Sequence, residues 1–150
     1  MVHPSDAEAW TYFNDKHPDK AAEARNVRVA LATDGFNPYG QLSAPYTCWP
    51  VFIIPLNLPP PGISFQRHNV FLSLIIPRHP GSNMGVYMEP MIDELIDAWE
   101  KGVWTYDRAT KSSFKMHVWY HYSLHDFLTY GIFAAWCVHG NSRAQYARKL

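Results

Sequence analysis

Three short runs of alternating or β-branched apolar residues come in succession, followed by one run of helical period and then a fourth alternating run. That order restricts the chain to a mixed α/β fold. In the first run Val27, Val29 and Leu31 fall on one face of a strand, and Ala30, Ala32 and Asp34 fall on the other. "GFNPYGQLSAPY" reads as a hairpin-like loop. "CWPVFIIPLNL" is the second strand, its ends marked by Pro50 and Pro55, and "HNVFLSLIIPR" is the third, stopped by Pro77. Between them "LPPPGIS" reads as a polyproline connector. Short connections of this kind predict an antiparallel meander.

The helical run is "VYMEPMIDELIDAWEKG". Met88, Met91, Ile92, Leu95, Ile96 and Trp99 form its apolar face, Asp93, Glu94, Asp97 and Glu100 point outward, and Gly102 stops it. In "FKMHVWYHYSLHD" the residues Phe114, Met116, Val118, Tyr120 and Tyr122 alternate with polar or bulky neighbours, predicting one strand that ends on Asp126. "FLTYGIFAAWCVHG" reads as a buried helix and "NSRAQYARKL" as a basic tail. At the other end "SDAEAWTYF" predicts a short helix opened by a Ser5/Glu8 capping box and burying Trp10 and Phe13. "HPDKAAEARN" follows as a polar connection with at most one helical turn.

With 150 residues, 47% of them hydrophobic, the chain suits one domain with a real core. Lys plus Arg number 13 and Asp plus Glu number 13, a balance that argues against a free-standing nucleic-acid binder but not against a domain that meets DNA at one groove. Cys48 and Cys137 form no Cys-x-x-Cys pair, so a zinc site or disulfide framework is not indicated and a reduced intracellular compartment is the simpler reading. No signal peptide or membrane span is expected.

Asp34 and Asp126 share one property: each follows the end of an apolar strand. A carboxylate there faces water, opens a turn or holds a cation. Asp34-Gly35 is a strong turn signal, with the aspartate bonding its own backbone and glycine supplying positive φ. If the first and fourth strands are neighbours, the two carboxylates could instead anchor a hard divalent cation such as magnesium. His117, His121 and His125 recur every four residues, but on a strand the outer two stand about 26 Å apart at roughly 3.3 Å per residue and cannot share an ion. Arg28, Arg67, Arg78 and His79 read as solvated surface groups, with phosphate contact as the alternative. Trp49, Trp104, Trp119 and Trp136 read as core, not as base-stacking platforms.

The blocks "TDGFNPYG", "YTCWPVFIIPLNLPP", "LSLIIP", "VYMEPMIDELIDAWEKGVWTYD" and "HDFLTYG", in that order across roughly residues 3 to 136, resemble the catalytic region of CACTA-type (En/Spm-like) plant DNA transposases. The resemblance implies a ribonuclease-H-like α/β fold, strand-strand-strand-helix-strand-helix, with an acidic triad that binds Mg2+ or Mn2+. It implies DNA cleavage and strand transfer at transposon terminal repeats, in the nucleus. Asp34 in "TDGFNP" matches the first acid and Asp126 in "DFLTYG" the second. The family's third acid lies further downstream, and its Cys-x-x-Cys stretch is replaced here by "GNSRAQYARKL". Residues 1–137 are therefore expected to be a C-terminally truncated catalytic domain and 138–150 a divergent tail, with weak or absent metal binding and no transposase activity alone. The alternative is a non-catalytic transposon-derived module that binds DNA, or that docks a protein or itself through uncovered apolar surface.

Overall fold

The computed structural model describes residues 3–40, 46–58 and 63–125. Its main sheet has four strands in the order β3-β2-β1-β6: β1 (Val27–Thr33), β2 (Cys48–Pro55), β3 (Phe71–Pro77) and β6 (Val118–Leu124). β1 and β2, and β2 and β3, pair antiparallel, which is the expected meander. β1 and β6 pair parallel. Parallel neighbours need a crossover. It is supplied by α3 (Met84–Glu100) and by a separate antiparallel hairpin of β4 (Val103–Asp107) and β5 (Ser112–Met116). The N-terminal part contributes α1 (Glu8–Lys16) and α2 (Pro18–Ala22). Among the described residues no helix is long and apolar enough to cross a membrane.

β1 lies between two layers, so its small and large residues separate by face. Leu31 joins Trp49, Val51, Ile76, Met84, Met88 and Met91 in a core beneath α3. Ala30 joins Ile54 and Leu56 on the opposite face, where Trp10 of α1 and Tyr122 pack against it. A bulky residue at Ala30, fully buried, would push α1 off the sheet. β3 is the outer strand, and most of its residues are exposed.

α3 keeps the predicted spacing, but its covered stripe is narrower than its apolar one. Met84, Met88 and Met91 are buried with Leu95 packed beside them, whereas Ile92 and Ile96 stay exposed. Gly102 ends the helix as predicted, at φ 67; a Cβ there would also come within 2.9 Å of the His117 ring.

Four expectations need correction. The aromatic stretch from Phe114 to Tyr122 is two strands in different sheets, because the chain turns out of the hairpin at His117. Asn26 fixes that break: its Oδ1 accepts the His117 N–H at 2.7 Å, and the Val27 N–H donates to the His117 carbonyl at 2.9 Å. The alternation also fails inside β6. Val29 pairs with Tyr120 but Ala30 with Tyr122, so His121 is the extra residue of a bulge. Tyr120 consequently lies on the α3 side and Tyr122 on the α1 side, because a one-residue insertion exchanges faces.

The Ser5/Glu8 capping box does not form. His3 and Asp6 instead bracket a short 3-10 turn, with the His3 N–H donating to Asp6 Oδ2 at 2.9 Å, and α1 begins after Ala7 without a side-chain cap. Phe13 is buried as expected and Trp10 only partly. Trp104, read as core, is 73% exposed, since the β4–β5 hairpin stands apart from the main sheet. The predicted C-terminal helix, Trp136 and the basic tail lie outside the described residues, as does the central part of the polyproline connector.

Arg25 ties this hairpin to the segment before β1. It donates to Glu23 Oε2 at 2.7 Å and to Asp107 Oδ2 at 3.2 Å, and its guanidinium lies 3.8 Å from the Phe114 ring centre. These Arg25 hydrogen bonds hold the Glu23 carboxyl down to about 2, against an ordinary 4.5. A depressed carboxyl favours the folded state above its unfolded value and loses that preference as pH falls through the folded one. The melting-temperature advantage of wild type over Glu23→Gln is therefore expected to shrink between about pH 4.5 and 2. Both partners are solvent-accessible, so the effect is small. A difference that stays constant over that range would show that Glu23 acts by shape and not by charge.

Candidate functional site

The sheet directions bring the C-terminal ends of β1, β3 and β6 and the N-terminal end of β2 to one edge. Asp34 stands there, immediately after Thr33, whose hydroxyl donates to the Pro50 carbonyl at 2.8 Å and pins the strand end to β2. The Asp34 carboxylate is exposed and, among the described residues, takes part in no hydrogen bond or ion pair.

The turn is made by other residues. Asn37 Oδ1 accepts the Tyr39 N–H at 2.9 Å, and Asn37 Nδ2 donates to the Gly40 carbonyl at 3.1 Å. Gly35 does not adopt a positive φ, so the expected reason for Asp34-Gly35 does not hold. Its requirement is steric. A Cβ on Gly35 would lie 2.5 Å from Trp49 Cε2 and 2.8 Å from Trp49 Nε1. Trp49 is 4% exposed, and its indole N–H has no acceptor among the described residues. Local sequence carries no sign of this contact, since it joins the loop after β1 to a residue of β2.

Arg78 and His79 share the edge, following β3. Arg78 takes a left-handed φ of 66, uncommon for a residue with a side chain, and is exposed. The His79 ring stacks edge-on against Trp49 at 5.4 Å, and its Nδ1 accepts the Gly81 N–H at 3.0 Å. Arg67, also exposed, precedes β3 and so lies at the opposite edge. Arg28 is no surface cation. It is 7% exposed and sits against the rings of Trp10 and Phe13, with centroid distances of 3.7 and 4.3 Å.

The histidine stripe disperses into three environments. His117 Nδ1 lies 2.8 Å from the Trp99 carbonyl, His121 packs edge-on against Trp10, and His125 Nε2 lies 2.8 Å from the Ser123 hydroxyl. The described residues contain no group of three or more His, Cys, Asp or Glu side chains placed to hold a metal. Asp126 lies outside the described residues, two positions beyond the end of β6.

β1 and β6 are thus neighbours running in the same direction, and β1 delivers a free carboxylate to the edge that both reach. No curated protein and no solved structure matches the chain. The model of the transposase family tnp2 matches residues 1–149, and the chain belongs to that family.

Proposed function

We propose that this chain is part of the catalytic domain of a CACTA-type transposase with a ribonuclease-H-like sheet, and that Asp34 and Asp126 hold its divalent cation. One observation carries the reading: the strand that precedes Asp34 pairs in parallel with the strand that precedes Asp126. Ala32 pairs with Leu124, and each aspartate stands two positions further along its own chain.

Asp34 fits the cation. It offers hard oxygen donors, no protein group competes for them among the described residues, and the strand beneath it is anchored on both sides. Bound there, magnesium or manganese would activate an attacking water or hydroxyl and stabilise charge at a DNA phosphodiester. The chain's own part is to hold that carboxylate still, through the Thr33 hydrogen bond and the Gly35–Trp49 contact, while Arg78 and His79 on the same edge meet the DNA backbone. The substrate would be the transposon's terminal repeats and the location the nucleus. Two carboxylates are few for magnesium, which gives up water reluctantly, so weak binding and no strand transfer by this chain alone are expected.

The test is a manganese titration of the chain followed by paramagnetic broadening or calorimetry. Wild type is expected to bind, and Asp34→Asn and Asp126→Asn are each expected to lose at least about tenfold in affinity, as removal of a charged ligand should. Variants that bind like wild type would sink the shared site. The second reading, a non-catalytic module, would then stand; it is favoured by the exposure of Ile92, Ile96 and Tyr120 along α3 and β6.

A further inference from the structure

A partly open cavity of about 230 Å³ lies at the N-terminal end of β1, against the segment that leads into the strand and the inner side of α1. It is therefore at the opposite end of β1 from Asp34, roughly 20 Å away at about 3.3 Å per residue. Two cations line it, Arg28 and Lys20. Neither has a carboxylate within ion-pairing distance among the described residues.

That is unusual for Arg28. A buried guanidinium is normally paired, because removing its charge from water is costly. Of its five N–H donors, one reaches the Trp10 carbonyl at 3.4 Å and one the Asn14 Oδ1, and the described residues provide no acceptor for the other three. Burial holds its pKa below the ordinary value. Lys20 is half-buried. Its ammonium lies 2.8 Å from His117 Nδ1, 3.1 Å from His117 Nε2 and 5.1 Å from the Trp99 ring centre. The His117 ring engages one of the ammonium's three donors, and another reaches the Trp99 carbonyl only at 3.5 Å.

Among the described residues Glu23 is the one carboxylate on the cavity wall, and it is already engaged: Arg25 donates to both of its oxygens, at 2.8 and 2.7 Å. Trp10, Trp99 and Trp119 give the cavity aromatic walls, and Asn14, Asn26 and Asn57 add polar groups to it. The cavity is smaller than those that take drug-sized ligands and ample for a tetrahedral anion.

We infer that this cavity binds a phosphate group between Arg28 and Lys20, either as the free ion or as the terminal phosphate of a mononucleotide whose remainder lies outside the open mouth. A dianion there supplies acceptors for the idle N–H groups and gives both cations an anionic partner, where the described residues offer only aromatic rings and neutral hydrogen-bond groups. The site is independent of the divalent-cation site at the other edge, so manganese binding and phosphate binding succeed or fail separately.

The test is a titration of the full chain with sodium phosphate at constant ionic strength, read by tryptophan fluorescence, with sodium chloride as control. A second arm uses adenosine 5′-monophosphate. A saturable change is expected below about 50 mM phosphate. Lys20→Met, a half-buried site that should fold, is expected to weaken it by about tenfold, whereas Lys101→Met, whose ammonium pairs with Asp97 on the surface, leaves it unchanged. Arg28→Lys keeps the charge but not the fork and is also expected to weaken binding. Tighter binding of the nucleotide assigns the site to nucleotides, and equal or weaker binding assigns it to the phosphate group alone. No saturable change, or a Lys20→Met variant that binds as wild type does, would overturn the inference.

Discussion

Met88→Ala is expected to cost about 3 kcal/mol of unfolding free energy, within the range for truncating a buried methionine. Met88 is 2% exposed and lies in the cluster that joins α3 to Leu31, Trp49, Val51 and Ile76 on the sheet. Removing its thioether leaves a void lined by residues from α3 and the sheet, and neither can collapse without disturbing the other. One turn further along the same helix, Ile92 is 43% exposed, and Ile92→Ala is expected to cost less than about 1 kcal/mol. Urea unfolding with unchanged slope separates the two variants. Equal losses would mean that the helix is rotated from the face described, with Ile92 as much inside as Met88.

Gly35→Ala is expected to be comparably severe, about 3 kcal/mol, at the upper end for overpacking. The new methyl would stand 2.5 Å from a ring carbon of Trp49, and that indole is buried and cannot swing away as an exposed chain end would. The two positions are directly coupled. In a Trp49→Leu background the same glycine substitution is expected to lose less than half as much, a difference read from a double-mutant cycle. Additive losses would locate the strain in the backbone instead. Because Asp34 is the preceding residue, Gly35→Ala should also weaken manganese binding even where the variant remains folded, a loss that Met88→Ala, remote from that strand end, should not share.

Legibility differed along the chain for physical reasons. β1, β2, β3 and most of α3 could be read directly, because Val27–Thr33 and the two runs after it carry strand patterns, and because Met88, Met91, Leu95 and Trp99 recur at helical spacing; the first turn of α3, with Met84, follows a Pro-Gly loop and reads as part of it. Asp34 could be singled out because a carboxylate after an apolar run needs a reason. The division of the aromatic stretch at His117 could not be read, since it depends on an N–H captured by Asn26, 91 residues earlier. Nor could the bulge at His121, which exists only relative to β1. Arg28 looked like a surface cation because a strand exposes alternate residues by default; Trp10 and Phe13 on α1 turn that face into an interior.

By itself, then, the sequence determined the first three strands and the helix that follows them, the antiparallel meander and the carboxylate at the tip of its first strand, all set by patterns within a few neighbouring residues. Only the tertiary structure decided that β6 lies parallel beside β1, that Gly35 is required by Trp49, and that Arg28 and Lys20 face one cavity. Those contacts join residues far apart in the chain. Their energy comes from surfaces that meet after folding, and no local pattern encodes which surfaces will meet.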